Sequence, residues 1–513
     1  MASTYNAAAD LLESNLKAGR GNKAAFVDPK RTVTYGEIDA EARRTANLMR
    51  SLGLRHEDRV IMIMLDTVEF PMAFLGAMLA GVIPIPLNTA LTNETYAFML
   101  SDSRARALFV SAPLVAALEP VLAKLPELKV VVVGGDASGN RVDFGKERAK
   151  QSEKFNAVAT HPDESAFWLY SSGSTGTPKG AKHIHTSPMA TAKLYAQGVL
   201  GIREDDVCLS AAKLFFAYGL GNALTFPMSV GATAVLNPER PTPALMYEFL
   251  KKHQPTLFFG VPTLYAAMLG DATLAKEEGS KKLRMCVSAG EALPEHIGKN
   301  WKARFGADIL DGVGSTELLH IFLSNAPDDV VYGTSGVAVP GYDLRLVDEK
   351  GSDVADGEIG ELLVRAPSAA EGYWNQREKS RATFEGAWTR TGDKYTRDNA
   401  GRYTYCGRTD DMFKVSGQWV SPFEVESALV SHPSILEAAV IANEDSDGLT
   451  KPKAFIVLKA DTDKSGIEKA LREHVQTKVG AWKYPRWIEI VDSLPKTATG
   501  KIQRFKLRDA SKA

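Results

Sequence analysis

The stretch Tyr170-Ser171-Ser172-Gly173-Ser174-Thr175-Gly176-Thr177-Pro178-Lys179-Gly180 directly follows an apolar run, Ala166-Phe167-Trp168-Leu169-Tyr170. Glycines let the backbone aim successive N–H groups at one point, and the hydroxyls and Lys179 add further donors. A polyphosphate is the natural guest of such a nest. The spacing differs from G-x-x-x-x-G-K-[ST], because Lys179 follows a proline and precedes Gly180. The stretch therefore points to a phosphate loop outside the Walker class.

Outward from that loop, the 513 residues exceed what one compact core holds and predict about three or four structural units. Composition is globular, with 44% hydrophobic and 24% charged residues. A net charge of −1 argues against general nucleic-acid binding. Cys208, Cys286 and Cys406 are far apart and form no C-x-x-C pair, which predicts neither a zinc site nor a disulfide framework. Ala7 to Gly19 is interrupted by charges as an amphipathic helix is, and is not read as a signal peptide. Phe70 to Leu87 contains Pro71, Gly76, Gly81, Pro84 and Pro86, and reads as a buried helix and strand rather than a membrane span. A cytoplasmic protein is expected, with no membrane partner.

Helix-like and strand-like patterns alternate, which predicts an α/β fold built in layers. Ile38 to Leu52, Phe70 to Leu79 and Ala244 to Lys252 have helical character. Arg59 to Met64 reads as a short buried strand, and Ala107 to Val110, Val130 to Val133, Thr233 to Leu236 and Thr256 to Phe259 as further strands. After about Val330 the texture shifts to strands and tight turns, predicting a small antiparallel barrel or sheet. A further shift comes near Arg408-Thr409-Asp410-Asp411. The expected organisation is an N-terminal body over residues 1–409, with α/β subdomains near 1–165 and 166–330 and a β subdomain near 331–409. A small, mobile C-terminal α/β lid spans 410–513.

Four more segments complement the loop. Asp311-Gly312-Val313-Gly314-Ser315-Thr316-Glu317 follows the expected strand Ala307–Leu310; its glycines admit a planar base, and Glu317 is a hard oxygen ligand suited to Mg²⁺. Trp388-Thr389-Arg390-Thr391-Gly392-Asp393 reads as a tight turn followed by a carboxylate that can accept from two ribose hydroxyls. Gly407-Arg408-Thr409-Asp410-Asp411 offers a guanidinium at the domain junction, and Pro495-Lys496-Thr497-Ala498-Thr499-Gly500-Lys501 a loop with a lysine near the C-terminus. Each alone is an ordinary turn or tail; the ensemble in this order is not.

With these segments the chain resembles the acyl-adenylate-forming superfamily of acyl-CoA synthetases, peptide-synthetase adenylation domains and firefly luciferase, over nearly its whole length. It is most similar to benzoate–CoA ligases and other aryl-CoA ligases. The narrower likeness rests on Ala211-Ala212-Lys213-Leu214-Phe215-Phe216-Ala217-Tyr218-Gly219-Leu220-Gly221, on Ser315 to Asn325 and on Lys414-Val415-Ser416-Gly417-Gln418-Trp419-Val420-Ser421-Pro422-Phe423-Glu424. The resemblance implies that a carboxylate attacks ATP to give acyl-AMP and pyrophosphate, and that coenzyme A then displaces AMP. ATP, Mg²⁺ and coenzyme A are the implied cosubstrates. Lys501 would neutralise the reacting oxygens. Ser171, Ser172, Ser174, Thr175, Gly176 and Lys179 would hold the pyrophosphate side, Thr316 the α-phosphate, Glu317 the metal. Asp393 and Arg408 would grip the ribose, and Gly290, Glu291, Ala292, Asp311 and Gly312 would flank the adenine and the acyl group. Asp410 matches the hinge about which the lid swings, bringing Lys414, Gly417 and Trp419 to the coenzyme A tunnel. Lys414 either meets coenzyme A phosphates or is a solvated lysine.

The acyl pocket would comprise Phe216, Ala217, Tyr218, Gly290, Gly314, His320 and Ile321. Amino-acid-activating relatives carry an aspartate near Phe215 to Gly219, and none stands there here. A flat apolar slot suits an aromatic ring. Phe216 is either a gating aromatic or a core side chain; His320 either faces a ring substituent or is a structural histidine. Lys182 stands where relatives often have an apolar residue. Alternative substrates are cyclohexanecarboxylate, furoate or a short-chain acid, and a luciferase-like oxygenase is the alternative class. Exposed in one lid position, Lys501 is a candidate for a lysine acetyltransferase and deacetylase. A monomer or homodimer is expected.

Overall fold

The computed structural model describes residues 4–172, 177–271, 279–415, 418–446, 449–460, 462–480, 483–496 and 502–512. The apolar run forms the strand Ser165–Ser172, and the chain returns antiparallel along Pro178–Ile184. Ser171 pairs with Lys179 and Ser172 with Pro178, so these residues lie at the end of a two-stranded antiparallel ladder. The run is continuously apolar because both faces of the hairpin are covered. Phe167 packs against Phe74 with ring centroids 5.4 Å apart, and Trp168 against Trp374 at 4.7 Å.

Among the described residues, one five-stranded sheet runs Ile83–Pro86, Arg59–Ile63, Ala107–Ser111, Lys129–Val133, Val142–Asp143, all parallel. A nine-stranded sheet has a parallel centre in the order Ile309–Gly314, Met285–Ser288, Leu257–Gly260, Val207–Ser210, Thr233–Val235, Ala24–Val27. Antiparallel strands close both of its edges. Helices cover these sheets. Tyr35–Ser51 starts at a capping box, where the Thr34 hydroxyl accepts from Glu37 N–H and the Glu37 carboxylate accepts in return. It lies close on Glu69–Leu79 because Gly76 has no side chain: a Cβ there would stand 2.6 Å from Thr45 Cβ. Glu69–Leu79 is buried on nearly every side, as its almost unbroken apolar sequence requires.

The later region is an open antiparallel sheet of Asp343–Val347, Gly360–Arg365, Trp388–Arg397, Phe384–Glu385 and Tyr403–Arg408. Two expectations change here. Asp393 does not follow a tight turn; Trp388–Arg397 is one strand, locally distorted where Gly392 takes φ 70°. The ladder to Gly360–Arg365 slips at that place, and only glycine adopts such a φ without strain. Likewise Asp311 to Gly314 is no loop after a strand, since the strand Ile309–Gly314 runs through it, paired on both sides. Beyond Arg408 come a hairpin of Phe413–Val415 and Gln418–Val420 and a three-stranded sheet of Ile435–Glu444, Thr450–Leu458 and Trp487–Ile490. Helices Pro422–Val430, Ile467–Val479 and Arg504–Lys512 complete this part.

Candidate active site

The parallel strands Val207–Ser210, Met285–Ser288 and Ile309–Gly314 lead, at their carboxyl ends, into the segments that carry Phe216 to Tyr218, Gly290 and Thr316 to Ile321. That rim is where open parallel sheets bind ligands, because the connections leaving the strands splay apart there. Ser288 and Asp311 are neighbours across the ladder. Gly290 takes φ 97°, and a Cβ added to it would meet nothing within 4 Å, so it faces open space. Asp311 is buried with its Oδ1 lacking a hydrogen-bond partner among the described residues, and burial pushes its carboxyl well above the usual range.

Glu317 lies where the strand end meets the phosphate hairpin. Its Oε1 accepts from Ser171 Oγ at 3.1 Å and from Tyr373 OH at 2.7 Å. Lys179 Nζ stands 3.3 Å from the same phenol oxygen and 4.5 Å from the ring centroid. Burial lowers the Lys179 pKa, and Glu317 works against that shift. His183, on the return strand, is buried against Phe167 and hydrogen-bonds through Nε2 to the Thr316 carbonyl at 2.8 Å. Burial depresses its pKa to about 4, so the imidazole is neutral and its Nε2–H is the donor. Ala370 N–H donates to the Glu317 carbonyl at 2.8 Å, which fixes the same segment from a third side. Neither Tyr373 nor His183 was expected at the site. His183 lies next to Lys182 and Tyr373 follows Gly372, but no local pattern marks either.

Leu319 separates this cluster from the next. Its φ of 68° is unusual for a bulky residue and reverses the chain, so Thr316–Glu317 and His320–Ile321 serve different walls. His320 is 3% exposed, with Nε2 3.2 Å from the Tyr218 carbonyl and 3.2 Å from Asn222 Oδ1. Its ring lies against Phe226 at 4.3 Å, Tyr218 at 5.5 Å and Tyr195 at 5.6 Å. Burial drives its pKa to about 3, so it is neutral at any working pH. Nδ1, by contrast, is buried with no partner among the described residues. The ring is thus packed as a structural histidine on one edge and leaves an unmatched acceptor on the other. Tyr218 OH donates to the Val287 carbonyl at 3.1 Å. Gly314 and Gly312 make room for this wall: a Cβ on Gly314 would stand 2.6 Å from the His320 carbonyl oxygen, and one on Gly312 2.8 Å from Ile321 Cδ1. Phe216 is half-buried with its ring 4.6 Å from that of Phe215, and Ala217 begins a short helix.

Asp393 and Arg408 face each other across adjacent strands, with Arg408 Nη1 donating to Asp393 Oδ1 at 2.9 Å and to the Thr391 carbonyl at 3.0 Å. Thr409 N–H donates to the Gly392 carbonyl at 2.8 Å, while Asp411 is paired with Arg508 at 2.7 Å and Arg504 at 3.4 Å. Asp410 therefore stands between a residue tied to the body and one tied to the C-terminal helix. Lys414 and Trp419 are not brought to the acyl wall. Lys414 Nζ lies 3.3 Å from Glu349 and 4.6 Å from the Trp419 ring, whose other cation is Lys394 at 4.9 Å. Glu291 and Ala292 follow Gly290 in the rim segment. Lys182 is half-buried on the strand Pro178–Ile184, its N–H donating to the Gly372 carbonyl at 3.0 Å. Ser174, Thr175, Gly176, Gly417, Lys501 and the side chain of Ser172 lie outside the described residues.

Comparison with known proteins bears on this geometry. Residues 13–374 match the model of the AMP-binding enzyme family, and residues 424–501 that of the AMP-binding enzyme C-terminal domain. The chain is 56% identical to the benzoate–CoA ligase of Thauera aromatica, covering 99% of this chain and 96% of the relative. It is 54% identical to the 4-hydroxybenzoate–CoA/benzoate–CoA ligase of Rhodopseudomonas palustris strain ATCC BAA-98 / CGA009, covering 98% and 94%. A crystal structure of a benzoate CoA ligase from Burkholderia xenovorans LB400 superposes with a TM-score of 0.91 at 50% identity, covering 98% of this chain and all of that one.

Proposed function

The chain belongs to the AMP-binding enzyme family, and from that premise we propose that it joins benzoate or a substituted benzoate to coenzyme A through an acyl-AMP intermediate, releasing AMP and pyrophosphate. ATP and coenzyme A are its cosubstrates. One observation carries the choice of acid: the wall of Tyr218, Ile321 and a neutral His320 holds no charged side chain that could pair with an ammonium group. An aromatic ring gains there from edge and offset contacts. The unmatched His320 Nδ1 supports acceptance of a ring hydroxyl, since a buried acceptor gains from a donor.

The transition state of adenylation gathers negative charge on phosphoryl oxygens, so positioning and cations dominate its stabilisation. In our reading Lys501 supplies the cation at the reacting oxygens and Lys179 that at the pyrophosphate side, with Ser171, Ser172, Ser174, Thr175 and Gly176 beside the phosphates. Thr316 contacts the α-phosphate, Asp393 and Arg408 hold the ribose, and Asp311 Oδ1 accepts from the adenine amine. Among the described residues no cluster of three His, Cys, Asp or Glu side chains could cage a metal. A single carboxylate beside hydroxyls fits Mg²⁺, which commonly takes one or two carboxylates plus substrate phosphates, and Glu317 with Ser171 supplies that set. Mg²⁺ held there would neutralise phosphate charge.

We assign residues 1–409 to the body and 410–513 to the lid, with Asp410 as hinge; the gap between the two family matches, and the anchors of Thr409 and Asp411, support it. Rotation about that hinge would bring Lys414, Gly417 and Trp419 to the thioester-forming site. No helix among the described residues is long and apolar enough to cross a membrane; a cytoplasmic location remains our reading of the sequence. Acetylation of Lys501 would remove its cation; an unmodified Lys501 in cells with an active acetyltransferase, read by mass spectrometry, would count against that control. The test of function is AMP release with ATP and coenzyme A over a panel of benzoate, hydroxybenzoates, halobenzoates and cyclohexanecarboxylate. Benzoate and its hydroxylated forms should lead; a flat response, or a lead by cyclohexanecarboxylate, would overturn the aromatic assignment.

A further inference from the structure

Tyr373 touches both Lys179 and Glu317 in the polyphosphate site, and its oxygen works in two directions. Lysine has only donors and an ionised carboxylate only acceptors. The phenol oxygen therefore accepts from Lys179 Nζ, 3.3 Å away, and its proton is given to Glu317 Oε1, 2.7 Å away. Tyr373 is 5% exposed, so its hydroxyl meets these partners away from bulk water.

The backbone around it allows little drift. Tyr373 bridges to Ala181 on the phosphate hairpin, Trp374 N–H donates to the Gly180 carbonyl at 2.8 Å, and Tyr373 N–H donates to Ser380 Oγ at 2.9 Å. Its ring packs on Phe384, with centroids 5.3 Å apart. The phenol is thus pinned to the hairpin that carries Lys179, while its proton orients a carboxylate on the turn between Ile309–Gly314 and Ile321–Ser324.

We propose that Tyr373 is a positioning residue for the polyphosphate end of MgATP: it holds Lys179 and Glu317 in register before the nucleotide arrives. The inference rests on the reading of Glu317 given above. It separates the two half-reactions, because thioester formation from acyl-AMP involves no pyrophosphate and draws on neither partner of the phenol.

Tyr373→Phe in the full-length protein keeps the ring, its packing on Phe384 and the ammonium–ring contact with Lys179, and deletes the hydroxyl with its hydrogen bonds to Lys179 and Glu317. ATP binding is measured by calorimetry without any carboxylic acid, so that nothing turns over, once with excess Mg²⁺ and once with EDTA. A charge-assisted hydrogen bond lost from the site predicts that MgATP affinity falls about tenfold, with the EDTA value moved much less. The KM for ATP should rise in parallel, while the KM for benzoate and the rate of thioester formation from supplied benzoyl-AMP stay within about twofold of wild type. Glu317→Gln is run beside it. If Glu317→Gln abolishes the Mg²⁺-dependent gain and Tyr373→Phe binds MgATP as wild type does, the Tyr373 inference alone is overturned. If Glu317→Gln retains the gain, the reading of Glu317 falls and the inference with it. If Tyr373→Phe lowers the thermal midpoint and slows both half-reactions alike, the residue is only a packing element and the inference is again overturned.

Discussion

Replacing Gly221 by alanine tests the acyl wall without touching any residue assigned to contact substrate. Gly221 opens the wide helical turn Gly221–Thr225, where alanine would ordinarily stabilise by about 0.5–1 kcal/mol. Here its Cβ would stand 2.3 Å from His320 Cδ2, 2.6 Å from Nε2 and 3.1 Å from Phe226 Cζ. Comfortable contacts lie at about 3.5–4.0 Å, so the imidazole must retreat by about 1 Å. It is backed by Phe226 and flanked by Tyr195 and Tyr218, so the move strains a packed aromatic cluster at about 1–3 kcal/mol. It also stretches the buried bond from Nε2 to the Tyr218 carbonyl, at about another 1–3 kcal/mol. The clash outweighs the helix gain, for a net cost of about 1–5 kcal/mol, centred near 3, at the wall. A third to a half of that falling on the bound acid is about a tenfold rise in the KM for benzoate. The KM for ATP should hold, because the Glu317–Lys179 cluster lies across the reversal at Leu319. Steady-state kinetics with each substrate varied decide it. Wild-type KM for benzoate in Gly221→Ala, or an equal rise in both KM values, would refute this account of the wall.

Two further expectations are of different kinds. Lys501→Ala should abolish exchange of labelled pyrophosphate into ATP while leaving thioester formation from supplied benzoyl-AMP largely intact; equal loss of both would remove the role assigned to Lys501. Asp66 is buried, and burial raises its carboxyl to about 6 despite Lys213, which works the other way, and a hydrogen bond from Leu214 N–H. Its folded pKa exceeds the unfolded value of about 3.9, so its contribution to stability is full below about pH 4 and lost as pH rises through about 6, roughly 3 kcal/mol in all. Asp66→Asn keeps an acceptor for Leu214 N–H and should flatten the pH dependence of the urea midpoint across that window; an unchanged slope would show that Asp66 does not titrate there.

The strands and helices were legible where the pattern was local. Glu69–Leu79 and Lys129–Val133 differ by a residue from the boundaries expected of apolar runs. Expectation failed where a ladder overrode local composition. Thr391-Gly392-Asp393 has the composition of a turn, yet partners on both sides carry the strand through it, and Gly392 absorbs the slip in register. In Asp311 to Gly314 the glycines read as loop residues, but they are small because His320 and Ile321 cross over them.

The site divides along the same line. Hydroxyls, glycines and carboxylates that would meet a ligand sit in short dense segments, because a phosphate or a ribose is small and one turn of chain surrounds it. The groups that hold those segments in place come from far along the chain. Tyr373 lies 56 residues from Glu317 and His183 lies 133 residues from Thr316, and each is a single side chain whose partner is set by tertiary packing alone. Tyrosine and histidine suit this task because both combine an apolar body, which packing can fix, with a polar tip, which can then orient a neighbour. Such a residue carries no periodicity and no spacing rule, so it surfaces only once the hairpin, the strand end and the antiparallel sheet have met. The active site is therefore legible in sequence as a list of contacts and becomes legible as a machine only through the packing that aligns them.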